Sequence, residues 1–130
     1  MSKAPTPEAF AASGSEYANQ VALMMWAASS KIPELKWLVA IPNGEYRNKA
    51  TAGKLKAMGV RAGIPDLFLA IRRGRYPGLW IELKKLKSGK TSPEQDIWLE
   101  HLKSQGYGAR VCYGWESAKD TILEYLKYEE

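Results

Sequence analysis

The sequence predicts an α/β fold, a small mixed β-sheet flanked by helices, in the order α-β-(α)-β-β-α-β-α. Three observations lead there. Short apolar runs at 37–41, 67–71, 79–83 and 109–113 have the length of strands and are bounded by turn residues. Segments with helical spacing alternate with them, and two begin at a capping residue, Ser15 and Ser92. A chain of 130 residues, 45% apolar and 25% charged, suits one domain with its own core.

Residues 1–14 are rich in Ala, Ser and Pro and are expected to form a flexible tail. Ser15 caps a helix running to about Ser30, with Tyr17, Val21, Met24, Met25 and Ala28 as its expected buried stripe. Glu16 and Gln20, four apart, share a neighbouring stripe. The run at 37–41 ends at Pro42-Asn43-Gly44, a strong turn signal. Residues 48–58 read as a helix stopped by Gly59, and Gly63-Ile64-Pro65 leads into the second strand. The basic turn from Arg72 to Gly78 joins that strand to the third as an antiparallel hairpin. Ser92 at N-cap, Pro93 at N1 and Gln95 at N3 form a capping box. Trp98, Leu99 and Leu102 give that helix its apolar stripe, and Gly106 ends it. After the fourth strand, Ser117 caps a last helix to about Lys127, with Ile122, Leu123 and Leu126 apolar. There is no internal repeat, so 15–130 reads as a single domain.

Several classes drop out. No run approaches the roughly 20 apolar residues of a membrane-spanning helix, and residues 1–14 lack the apolar stretch of a signal peptide. The single cysteine, Cys112, has no internal disulfide partner; a buried, inert thiol and a reducing, cytoplasmic setting are expected. His101, the single histidine, lies on the polar side of its helix without a ligand-spaced partner, which argues against zinc or general-base chemistry.

The chemistry gathers in two fragments, Pro65-Asp66 and Glu82-Leu83-Lys84. Side chains two apart on a strand share a face, so Glu82 and Lys84 point together while Ile81 and Leu83 point the other way. With the two strands as neighbours, Asp66 sits beside Glu82. Two carboxylates and an ammonium then meet at one edge of a sheet, as a hard divalent cation and an attacking water require. Taken singly, each fragment equally suits a solvated strand or a turn. Lys84 tips the balance, because a structural ion pair needs only one carboxylate. Charge has the same geography: from Glu45 to Lys90 there are 12 Lys and Arg against 3 acids, +9, and elsewhere 7 against 11, −4. That is the footprint of a phosphate-backbone binder, with a merely solvated basic surface as the alternative.

Taken together, these residues resemble the PD-(D/E)xK nuclease superfamily and, more narrowly, a stand-alone VRR-NUC domain of phage or bacterial type. The resemblance runs from Ser15 to about Tyr113. It rests on Ser15-Glu16 with Gln20, Pro42-Asn43-Gly44, Gly59-Val60-x-x-Gly63-Ile64-Pro65-Asp66, Ile81-Glu82-Leu83-Lys84 and Ser92-x-x-Gln95, in that order. It implies a restriction-endonuclease-like αβββαβ core with an extra C-terminal helix. It also implies that Asp66 and Glu82, with the Leu83 carbonyl and with Glu16 directly or through water, hold Mg²⁺ or Mn²⁺. Lys84 would orient or deprotonate the attacking water, and Gln95, more distantly Gln20, would hold the nucleophile or a ligand. Glu16 is nearly as well explained as an acid in a first helical turn, and Gln95 as a cap alone. Trp80 shares the face of Glu82 and either lines the site or joins the core.

The same resemblance implies a metal-dependent, structure-selective DNA endonuclease, a homodimer resolving Holliday junctions, in the cytoplasm of a bacterium or of a phage-infected one. Arg72, Arg73, Arg75, Lys85, Lys87 and Lys90 are the expected phosphate contacts. The last helix, with Tyr125, Leu126 and Tyr128, is the candidate dimer surface. The alternatives are the same chemistry on flaps, nicks or plain duplex DNA, and a non-catalytic DNA-binding module. A small-phosphate binder ranks last, since neither G-x-x-x-x-G-K-[ST] nor G-x-G-x-x-G occurs.

Overall fold

The computed structural model describes residues 5–43 and 49–129. In chain order these form α1 (Pro7–Phe10), α2 (Glu16–Ser29), β1 (Leu38–Ala40), α3 (Lys49–Ala57), β2 (Leu67–Leu69), β3 (Leu79–Lys84), α4 (Pro93–Ser104), β4 (Gly108–Tyr113) and α5 (Trp115–Leu126), with 3₁₀ turns at Ala11–Ser13 and Pro33–Trp37. The predicted mixed sheet is present, ordered β1-β2-β3-β4. β1 pairs antiparallel with β2 and β2 with β3, while β4 lies parallel to β3. A parallel neighbour needs a crossover connection, and α4 supplies it.

Alternation along the strands gives the sheet two faces. Leu67, Leu69, Leu79, Ile81, Leu83 and Cys112 face α2 and α5, where Leu23, Trp115 and Ile122 close the main core. The opposite face meets α4, with Leu99 and Leu102 packed on Ala109, Trp80 and Val111. Glu82 and Lys84 belong to this second face.

Local signals place the helix starts well in two cases. Ser15 accepts the Ala18 amide at 3.0 Å. The Ser92–Gln95 capping box is complete, with Pro93 at the first helical position. Elsewhere distant partners override the sequence pattern. The buried stripe of α2 is Ala18, Asn19, Ala22, Leu23 and Ala27, and Tyr17 is 74% exposed. The helix is apolar almost all round, so its rotation follows the small alanines that allow close approach to the sheet.

α5 begins at Trp115, before the predicted cap Ser117. Its N-cap is Gly114 at φ +88°, with no side-chain cap of its own. The Trp115 amide donates instead to Asn19 Oδ1 on α2, 2.9 Å away and buried. The expected tail also carries structure: Thr6 caps α1 by accepting the Ala9 amide at 3.1 Å, and Ala11 packs against the main core. The predicted start of the third helix at Asn48 lies outside the described residues. Among the described residues no helix is long and apolar enough to cross a membrane.

Two expectations about single side chains are corrected. Tyr125, expected on a dimer surface, is buried and its hydroxyl donates to the Ile71 carbonyl at 2.6 Å. Arg73, expected at phosphate, is buried as well. It pairs with Glu34 at 2.7 Å and donates to the carbonyls of Arg72 and Leu126, so the guanidinium pins the hairpin loop to the body.

Candidate active site

Pairing register brings the two acids together. Leu67 lies opposite Ile81, so Asp66, one residue earlier, comes opposite Glu82 on the face that meets α4. Residues directly opposed on antiparallel strands hold their Cβ atoms about 5 Å apart. The stretch before Asp66 is fixed by Gly63: at φ +90°, a Cβ there would lie 2.7 Å from the backbone of Glu94 on α4. Only glycine lets the two segments come this close.

Both Asp66 oxygens are held. The Leu83 amide donates to Oδ2 at 2.8 Å, and the Asn43 side-chain amide donates to Oδ1 at 3.0 Å. The Ile41 amide also donates to the Asp66 carbonyl at 2.8 Å, tying the end of β1 to the same point. Asn43 was legible only as a turn residue. Its Pro-Asn-Gly setting is a turn signal that carries no hint of a partner 23 positions away.

Glu82 is 1% exposed, a deep position for a carboxylate. Gln95 Nε2 donates to its Oε2 at 3.2 Å, and Lys84 Nζ approaches the same oxygen at 3.7 Å. Gln95 and Lys84 are themselves buried. The sequence expectation therefore holds in space for Asp66, Glu82, Lys84 and Gln95: β2, β3 and the first turn of α4 bring them together. Gln95 does both things offered for it, since its side-chain oxygen also accepts the Ser92 amide at 2.8 Å.

The donor set suits a small hard cation. Two carboxylates and one ammonium leave an excess negative charge in a poorly solvated place, which a bound cation would neutralise. Lys84 turns its carbonyl toward β4, where the Gly114 amide donates to it at 2.8 Å. Carbonyls alternate along a strand, so the Leu83 carbonyl turns toward β2 and Asp66, as its amide does. Among the described residues no group of three or more His, Cys, Asp or Glu side chains could hold a metal. Glu16 thus does not join the other two acids as a third direct ligand. It is exposed at the start of α2 and lines, with Gln20, Asn43 and Asp66, a cleft of about 460 Å³. Magnesium, which keeps several waters and takes one or two carboxylates, matches that set.

The remaining expectations divide by position. Lys85, Lys87 and Lys90 are exposed and follow Lys84 at the site end of β3. Arg72 and Arg75 are exposed too, but they sit in the β2–β3 loop at the other end of β3. A strand of that length spans roughly 15–20 Å. Trp80 shares the face of Glu82 as expected but is packed into a cluster, 4.4 Å from the Phe68 ring and 6.2 Å from Tyr107. His101 is exposed beside Trp98.

Comparison with known proteins agrees with this geometry. The VRR-NUC domain family matches residues 14–116. A solved structure, described as a VRR_NUC domain protein, superposes with a TM-score of 0.78 and 34% identity, covering 89% of this chain and 91% of that one. No curated protein matches the chain.

Proposed function

The chain belongs to the VRR-NUC family of nucleases, and we propose that it is a divalent-metal-dependent DNA endonuclease selective for branched structures, acting as a homodimer on four-way junctions. One observation carries the catalytic part: Asp66, Glu82 and Lys84 meet on one sheet face, with Gln95 against Glu82.

Asp66 and Glu82, with the Leu83 carbonyl, are the residues to hold Mg²⁺ or Mn²⁺. When bound, such an ion polarises the phosphate and lowers the pKa of a coordinated water. Lys84 is held close to Glu82 and presents its ammonium at the same edge, where it orients the attacking water and offsets charge gathering on phosphorus. Gln95 fixes the Glu82 carboxylate and so its lone pairs. Glu16 and Gln20, across the cleft from Asp66, hold water through hydrogen bonds.

Among the described residues no element is a recognisable base-reading module, and in this reading backbone and shape dominate recognition. Symmetric incision of a junction needs two catalytic centres at fixed spacing, which a two-fold dimer provides. The test is cleavage of labelled junction, flap, single-stranded and linear duplex DNA with Mg²⁺, Mn²⁺ or EDTA. Fast cutting of the junction alone, abolished by EDTA, is the expected result. Equal rates on all four overturn the junction reading, and cutting in EDTA overturns the metal.

A further inference from the structure

We infer that α3, with Lys49, Lys54 and Lys56, is a grip for the phosphate backbone of the DNA arm that enters the site; this rests on the nuclease reading above. The helix holds three lysines and no acid, and none of its residues is buried. Ala52 and Leu55, three apart, are half-buried and mark the side turned to the body. At 100° per residue, Lys54 falls well away from that side, and Lys49 and Lys56 lie along its margin. Arg61, just beyond, is exposed as well.

Described residues on either side of the helix, Asn43 and Gly63, meet the site. On one side Asn43 holds the Asp66 carboxylate. On the other, Gly63 lies against Glu94 and leads directly into Asp66. The excursion that carries α3 therefore leaves from and returns to the catalytic cleft. The hairpin arginines, by contrast, occupy the far end of β3. The basic groups on α3 share with Lys85, Lys87 and Lys90 a covalent connection to the acids' end of the sheet.

Burial among the described residues gives α3 little support, since none of its own residues is buried. A nine-residue helix bearing like charges is marginal in water unless an apolar face is buried. Gly53 makes this plainer, since a mid-helix glycine costs about 1 kcal/mol relative to alanine. A Cβ at Gly53 would meet nothing within 4 Å among the described residues, so none of them demands its smallness. On the helical wheel Gly53 falls between Lys49 and Lys56 on one side and Lys54 on the other. A bare stretch of backbone flanked by ammonium groups lets a phosphate come close, and glycine recurs where backbone approaches a ligand.

The test is binding of labelled junction and duplex DNA by the full chain without divalent cation, so that affinity is read apart from cutting. Two variants isolate the helix. Lys49→Ala/Lys54→Ala/Lys56→Ala removes the charges while favouring the helix, alanine being its strongest former. Gly53→Leu fills the bare stretch, keeps every charge and also suits a helix. Neutralising three phosphate contacts should flatten the slope of log affinity against log salt by about 2–3, and Gly53→Leu should weaken binding without that flattening. Arg72→Ala/Arg75→Ala serves as the far-end control and should change affinity less than the triple variant. An unchanged slope in the triple variant, with wild-type binding intact, overturns the role of α3 and leaves the nuclease reading standing. A wild-type chain with no affinity for either DNA at any salt concentration overturns both.

Discussion

Gln95 donates its side-chain amide to Glu82 while its side-chain oxygen accepts the Ser92 amide, so one residue closes the α4 cap and holds a site acid. The two tasks can be separated. Ser92→Ala removes the hydroxyl that accepts the Gln95 amide at 3.2 Å and should lower stability by about 1 kcal/mol, with little change in cutting. Gln95→Ala should lower stability by a similar amount and also slow cutting by about 10–100-fold, the usual loss when a ligand's outer partner is removed. Thermal unfolding and initial cleavage rates on the two variants decide it; equal rates would reduce Gln95 to a cap.

Asp66→Asn conserves shape but removes charge and sets an amide N–H against one of the two donors, Leu83 or Asn43. Cutting should fall by about 10²-fold or more. DNA binding, measured by gel shift, should persist, since losing a negative charge does not weaken attraction to a polyanion. Retained cutting would remove Asp66 from the chemistry.

Arg73 should behave as a structural residue. Its pair with Glu34 is mostly buried on the arginine side, at 10% exposure, and less so on the acid side, at 30%. Breaking a fully buried pair costs about 3–5 kcal/mol, and partial hydration of Glu34 puts Arg73→Ala near or below the lower end. A drop in melting temperature with an unchanged salt slope for DNA binding is the expected signature.

Gly63→Ala should damage stability and activity together. The added Cβ meets Glu94 backbone at 2.7 Å, and φ is +90°. Backbone strain of this kind costs about 1–3 kcal/mol, and relief requires the Asp66 segment to move away from α4. Denaturant unfolding and cleavage rate should both fall, whereas Gly59→Ala, with nothing within 4 Å of its Cβ, should lose stability with little loss of cutting.

Burial pushes the Cys112 thiol above the ordinary range, against smaller opposing effects from hydrogen bonds with Thr121 and Ser117 and from the Arg110 charge. The unfolded chain therefore loses this proton first as pH rises, and the folded state binds more protons there. The contribution to stability is complete below the ordinary thiol pKa of about 8.5 and declines above it. Cys112→Ala should flatten the alkaline fall in unfolding free energy. A thiol reagent should label the native protein slowly and the urea-unfolded protein at once.

What could be read from the sequence was what neighbours along the chain decide. Ser15 and Ser92 cap helices through bonds three residues long, and Glu82 and Lys84 share a face because strands alternate. What escaped depends on remote partners. Asn19 starts α5 from another helix, Asn43 reaches Asp66 across the β1–β2 connection, and Arg73 finds Glu34 rather than phosphate. Their residue types are unremarkable for a helix, a turn and a basic loop, and nothing nearby betrays the contact. Tyr17 and Ala18 illustrate the same limit within one helix: with apolar residues all round, only the shape of the sheet beneath decides which side is covered.

The parallel pairing of β4 with β3 has a consequence for biosynthesis. Asp66 and Glu82 are opposed across β2 and β3, but Gln95, which holds Glu82, comes later in the chain, and Gly114, whose amide donates to the Lys84 carbonyl, later still. A nascent or prematurely terminated chain thus carries the right side chains without the scaffold that orients them. Orientation of the acids therefore waits on α4 and β4, both of which follow them in the chain.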